Sequence, residues 1–137
     1  MQITRTADYG VRVMMRLATA PGGTRMTVAD LARDSHASPA YTAKILQRLA
    51  GVRLVVSRRG FDGGFELARP ASEISLLDIV AALDGPLCLN ECAPGGAGCE
   101  YSPSCTARDV WVKAQEAVAA VLGAQRLDGL VVSPAAR

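Results

Sequence analysis

Ser38-Pro39-Ala40-Tyr41-Thr42-Ala43-Lys44-Ile45-Leu46-Gln47-Arg48-Leu49, followed shortly by Leu54-Val55-Val56-Ser57-Arg58-Arg59-Gly60-Phe61-Asp62-Gly63-Gly64-Phe65-Glu66-Leu67-Ala68-Arg69-Pro70, is the stretch that decides the fold. Its first part reads as a helix, because serine is a favoured N-cap and proline suits the first helical position. Tyr41, Ile45, Leu46 and Leu49 fall on one side of that helix, and Ala40, Thr42, Ala43, Lys44, Gln47 and Arg48 are left mostly outside. The second part is two β-prone runs, residues 54–57 and 65–68, around a glycine-rich turn bearing Arg58 and Arg59. A hairpin directly after a short basic helix predicts the wing of a winged helix.

Upstream, Thr27 with Asp30 three residues on resembles a capping box, and Val28, Leu31 and Ala32 give a short amphipathic helix. Linked through residues 34–37 to the helix that starts at Ser38, it makes a helix-turn-helix. Residues 4–20 place Tyr9, Val13, Leu17 and Ala20 at helical spacing, with Asp8 near the start and Pro21-Gly22-Gly23 as the stop. Downstream, Ser75 caps a short helix with Asp78 in the box position, Leu76, Ile79, Val80 and Leu83 inward, and Gly85-Pro86 ending it. A final helix over residues 106–124 repeats Val110, Ala114, Ala117 and Val121. Small residues at that spacing allow close approach of a second helix, so it reads as a dimerisation helix, with packing on its own domain as the alternative. The expected fold is mainly α with a small β-hairpin wing. Residues 1–70 form the winged helix-turn-helix, and residues 71–137 hold a cysteine loop and the long dimerisation helix.

That loop opens at Leu87 and carries Cys88, Cys92 and Cys99, with Cys105 at its far edge among Pro94, Gly95, Gly96, Gly98 and Pro103. It is long for a connection without structure of its own, which points to function. Six residues and then five separate Cys92, Cys99 and Cys105. Thiolates gathered on a flexible loop suggest a metal or iron–sulfur site. Zinc is the poorer match, since paired C-x₂-C knuckles are absent, and a metal-free thiol–disulfide switch stays open. Cys88 is either a further ligand or a small residue that closes an apolar run.

Charge is unevenly placed. Residues 1–69 hold eleven Lys/Arg against five Asp/Glu, while residues 70–137 hold four against eight. A basic first half is what contact with a polyanion requires. Only 4% of residues are aromatic, which argues against a stacking surface for single strands. A single histidine, and no GxxxxGK[ST] or HExxH run, argue against an enzyme or a small-molecule substrate. Gly60 to Gly64 lacks the following helix that a phosphate loop uses. No apolar run follows Met1-Gln2-Ile3-Thr4-Arg5 and nothing approaches a membrane span, so a cytoplasmic protein without a membrane partner is expected.

Tyr9-Gly10, Ser38-Pro39-Ala40-Tyr41, Leu46-Gln47-Arg48-Leu49, Ser57-Arg58-Arg59-Gly60, Gly63 through Pro70 and Ile74-Ser75-Leu76, in that order, resemble the Rrf-type family of winged-helix transcription regulators. That family includes IscR, NsrR and RirA, and the resemblance runs along essentially the whole chain. It implies a regulator, in most cases a repressor, that binds a palindromic double-stranded DNA operator as a homodimer with crossed C-terminal helices. It also implies an iron–sulfur cluster on Cys92, Cys99 and Cys105 that reports nitric oxide, redox state or iron and cluster supply. By that resemblance Ser38, Ala40, Tyr41 and Lys44 lie where the recognition helix enters the major groove. Arg48, Arg58 and Arg59 are the other expected cationic contacts, with Arg59 placed to reach a minor groove. A family glutamate that rejects some sites is matched here by Ala43.

This chain departs from the IscR pattern in one place. No histidine follows Cys105, only Thr106-Ala107-Arg108, and His36 lies in the helix-turn-helix. The NsrR-like pattern supplies instead an aspartate from the partner, matched by Asp8, although the first cysteine gap is one residue longer here. Asp8 of the partner subunit, Cys88, water or no fourth ligand remain open, and the resemblance leans to [4Fe-4S] over [2Fe-2S]. A thiol-redox or apo-active regulator on the same scaffold without a cluster, or an iron–sulfur carrier or assembly protein that does not bind DNA, are the competing functions.

Overall fold

Four hydroxyl caps set where the first four helices begin. Thr4, Thr27, Ser38 and Ser75 each accept a hydrogen bond from the backbone N–H three residues on, opening α1 (Arg5–Thr19), α2 (Val28–Ser35), α3 (Pro39–Gly51) and α4 (Leu76–Asp84). At Ser75 the box is reciprocal, since the Asp78 carboxylate accepts from the Ser75 N–H at 2.8 Å. At Thr27 the hydroxyl itself donates to the Asp30 carboxylate at 2.8 Å, which takes the place of the reciprocal backbone bond. A hairpin of β1 (Val55–Arg58) and β2 (Gly64–Leu67) lies between α3 and α4, and α5 (Arg108–Ala124) follows the cysteine loop. The computed structural model describes residues 2–22 and 24–131; Gly23, read as part of the stop after α1, lies outside them.

The link between α2 and α3 is shorter than its sequence predicts. The Ser35 hydroxyl is buried and donates to the Leu31 carbonyl at 2.6 Å, so the helix continues through Asp34 to Ser35. His36 then turns the chain in the left-handed region at φ 58°, leaving only His36 and Ala37 before the Ser38 cap. In α3 the inward stripe is Thr42, Ile45, Leu46 and Leu49, with Tyr41 half-buried at its edge. Thr42, expected outside, is therefore inside and fully buried. It lies three residues before Ile45 and four before Leu46, so it faces the same neighbours.

The strands pair antiparallel, with Val55 opposite Leu67 and Arg58 opposite Gly64, one residue nearer the turn than the β-prone runs suggested. Met26 adds a bridge at the far edge, exchanging backbone bonds of 3.0 and 2.9 Å with Phe65. One core serves both halves of the chain. It joins Ala7, Val13, Met14 and Leu17 of α1 to Leu31, Ile45, Leu46, Leu49, Ile79 and Leu83, and takes in Leu127 from a 3₁₀ turn, Leu127–Leu130, after α5. Packing thus crosses residue 70 without a break. At Gly10 a Cβ would stand 2.0 Å from Leu83 Cδ1, so the glycine leaves room for the Leu83 side chain of α4 to lie against α1.

Gln115 is the buried residue of α5. Val110 is 65%, Trp111 42% and Val121 70% exposed; Ala117 is exposed as well, and Ala114 is half-buried. No described helix is long and apolar enough to cross a membrane.

Candidate functional site

The outer face of α3 opens with its cap. Ser38, Ala40 and Lys44 are exposed there, and the sole histidine, His36, is exposed just before it. Tyr41 turns the other way. Its hydroxyl shares a 2.5 Å hydrogen bond with that of Thr6, and its ring meets Tyr9 edge-on at 5.8 Å between centroids. Arg48 is exposed, yet its Nη2 donates to the Leu83 carbonyl at 2.5 Å, satisfying one of the last carbonyls of α4.

In the wing, Arg58 Nε lies 3.3 Å from Glu66 Oε1 on the facing strand. Arg59 is exposed and, like Lys44, takes part in none of the ion pairs among the described residues. Arg25 braces the hairpin from outside, donating to the Asp62 carbonyl at 3.0 Å and standing 3.7 Å from Glu66 Oε2. Sequence reading passed over both Arg25 and Phe61, whose ring stands fully exposed in the turn. A basic residue just before a bridging position was the available sign for Arg25. For Phe61 the sign was an aromatic in a turn otherwise made of glycine and charge.

Asp8, in the first turn of α1, pairs with Arg12 at 2.8 Å, and both side chains are about half exposed. The Arg12 guanidinium in turn lies 5.5 Å from the centre of the Tyr9 ring. The residues Asp8, Arg12, Tyr9 and Tyr41 thus form a continuous contact from the surface of α1 to α3. Thr4, at the head of α1, donates through its N–H at 3.0 Å and through its hydroxyl to the Asp84 carboxylate. The start of α1 is thereby fastened where the cysteine loop departs. On the other side of α1, Arg16 Nε donates to Asp34 at 2.5 Å, and this bond with the nearby Arg33 holds the Asp34 carboxyl below its ordinary range. Asp30 is lowered too, chiefly by the Thr27 hydroxyl and then by Arg33.

Cys88, Cys92, Cys99 and Cys105 are all free and half-buried. No three His, Cys, Asp or Glu side chains converge on a metal-sized site among the described residues. The described residues therefore do not bring Cys92, Cys99 and Cys105 together within the chain, nor join Asp8 or Cys88 to them as a set. The Cys88 thiol donates to the Asn90 carbonyl at 3.2 Å. The donor set still fits a cluster by its chemistry, since none of the thiols is consumed in a disulfide and each keeps some access to solvent. Gln115 is the residue that sequence reading missed here. Its Oε1 accepts from the Leu89 N–H at 2.9 Å and its Nε2 donates to the Pro94 carbonyl at 2.7 Å, one bond on either side of Cys92.

Comparison with known proteins bears on this arrangement. The Rrf2 family profile, described as an iron-dependent transcriptional regulator, matches residues 3–133. A helix-turn-helix-type protein of Mycobacterium tuberculosis (strain H37Rv) is 38% identical over 122 residues, 89% of this chain and 76% of that one. The transcriptional regulator NsrR of Oceanobacillus iheyensis is 31% identical over 132 residues, 96% of this chain and 90% of that one. Among solved structures, CymR, the global cysteine regulator of B. subtilis, superposes with a TM-score of 0.78 at 27% identity, covering 95% of each chain.

Proposed function

Because this chain belongs to the Rrf2 family of transcriptional regulators, we propose that it represses transcription by binding a palindromic operator as a homodimer, with the state of its cysteine loop setting the affinity. The observation that carries this reading is the placement of the loop. It leaves α4 where Asp84 holds the head of α1 and Arg48 of α3 holds the Leu83 carbonyl, and it ends at α5. α5 carries an uncovered apolar face at Val110, Trp111 and Val121, with Ala117 beside it and Ala114 half-buried, which suits a second copy of the helix.

Ser38, Ala40 and Lys44 present the outer face of α3 to the major groove. Arg59 extends from the wing toward the minor groove, where narrow tracts attract arginine. Tyr41 contributes mainly by setting α3 on α1, while Arg48 and Arg58 divide their guanidinium groups between intramolecular bonds and DNA. Cys92, Cys99 and Cys105 would hold the cluster, [4Fe-4S] in preference to [2Fe-2S], with Asp8 of the partner subunit as the fourth ligand and Cys88 as the alternative. Such a cluster supplies iron that reacts with nitric oxide and oxidants. A hard carboxylate is the most easily displaced member of that set. An Asp8 not held by the partner's loop pairs with Arg12, and the contact through Tyr9 and Tyr41 would carry the difference to the spacing of the two reading helices.

A thiol switch on the same scaffold is the second reading. It is favoured by the four free, half-buried cysteines and by the likeness to a cysteine regulator. Anaerobic isolation followed by native mass spectrometry, before and after nitric oxide, separates the two. A brown dimer with counted iron and sulfide supports the cluster, and a colourless, metal-free dimer supports the thiol switch. DNA affinity that does not fall with added salt would remove the operator claim.

A further inference from the structure

The cysteine loop is fastened unevenly. Around Cys92 the backbone closes on itself: Ala93 N–H donates to the Asn90 carbonyl at 3.0 Å, Gly96 N–H to Ala93 at 3.0 Å, and Gly98 N–H to Glu91 at 3.1 Å. Ala93 is buried, and a Cβ on Gly96 would stand 2.4 Å from the Glu91 carbonyl oxygen, so the two passes of chain nearly touch. This knot is held to α5 by the buried Gln115 amide, through Leu89 on one side of Cys92 and Pro94 on the other. Cys105 is tied to the same helix at its start, where its carbonyl accepts from the Arg108 N–H at 3.2 Å. The stretch between them differs. Hydrogen bonds recorded for residues 99–104 are local, Ser102 N–H to Cys99 at 3.0 Å and Ser104 N–H to Tyr101 at 3.1 Å with its hydroxyl alongside, and the Tyr101 ring is 73% exposed.

We propose that Gln115 is the positioning residue for Cys92. It fixes the segment of residues 89–94 on α5, so Cys92 and Cys105 ride on one helix and the lobe bearing Cys99 makes the movement that gathers or separates the three thiols. This deepens the reading of the loop as the sensing site and rests on it. The physical basis is the accounting of buried polar groups. The Gln115 side chain is buried, so its amide, once parted from the Leu89 N–H and the Pro94 carbonyl, would be left short of partners, and the knot and the helix therefore move together. Residues 99–104 have no such bond to break among the described residues, and this lobe opens at lower free energy.

The test uses reduced, metal-free, full-length protein and reads the rate at which N-ethylmaleimide alkylates each cysteine, resolved by peptide mass spectrometry. Wild type should label Cys99 fastest and Cys92 slowly. Gln115→Leu keeps the volume and removes both bonds, and should raise the Cys92 rate by about tenfold while Cys99 and Cys105 stay within about twofold. Gln115→Glu keeps an acceptor for Leu89 but gives Pro94 no donor, and should fall between the two. An unchanged Cys92 rate in Gln115→Leu with native circular dichroism overturns the proposal. So does an equal rise at all three cysteines in both variants, since the amide would then stabilise the helix as a whole. Failure of the cluster reading shows separately, as colourless iron-free protein, and leaves these rates where they were.

Discussion

Replacing Thr42 by valine should make this protein more stable. Thr42 is fully buried in α3, and its Oγ1 is a buried side-chain atom with no hydrogen-bond partner among the described residues. An unpartnered buried hydroxyl costs about 1–3 kcal/mol relative to a group that asks for no partner. Valine has nearly the same shape, so it leaves no cavity, and the two residues have similar helix propensity. A gain of about 1–2 kcal/mol follows, which for a chain of this length raises Tm by about 3–5 °C per kcal/mol. Urea denaturation should show a higher midpoint with an unchanged slope. Protein concentration must be held fixed, because any self-association would add to apparent stability. DNA affinity should not move, since the side chain faces the core rather than the groove. A midpoint equal to or below wild type would refute the reasoning, because it would mean that the hydroxyl is satisfied in solution.

Arg59→Ala should weaken operator binding more than Arg58→Ala, because Arg58 already pairs with Glu66 whereas Arg59 enters none of the ion pairs among the described residues. In a fluorescence titration, Arg59→Ala should lower the slope of log affinity against log salt by about one if the contact is to phosphate. Equal losses for the two variants would contradict this. The Arg16 bond that lowers the Asp34 carboxyl gives a pH dependence of definite sign. A depressed folded value means the contribution is present above the unfolded value near 3.8 and is lost as pH falls through the folded one. Asp34→Asn should therefore cost up to about 1 kcal/mol near neutrality and progressively less below about pH 4, by urea denaturation at each pH; a cost that grows with acidity would be wrong for this pair.

The caps and the wing were legible in the chain because they are local. Thr27, Ser38 and Ser75 announce helix starts within three residues, and a glycine-bearing turn between β-prone runs announces a hairpin. The outer face of α3 was legible only in part. Ser38, Lys44 and the inward side of Tyr41 lie where their spacing puts them, but the groups that Tyr41 and Arg48 reach, on α1 and α4, are partners 35 residues away in each case. No period within α3 reports on those partners. Leu127 escaped notice for the same reason, since its burial depends on Ile74, whose carbonyl its N–H reaches at 2.9 Å.

The sequence alone therefore determined the order and type of the elements, the division of charge and the presence of three spaced cysteines on one loop. Each of these is a property of neighbours along the chain. Tertiary structure decided that Thr42 is inside, that α5 keeps its apolar face uncovered, that Asp8 connects through Arg12 and Tyr9 to Tyr41, and that Gln115 holds the loop about Cys92. A side chain's role is set by the groups brought against it, and for these residues the groups come from elements far away in sequence, where local pattern carries no information.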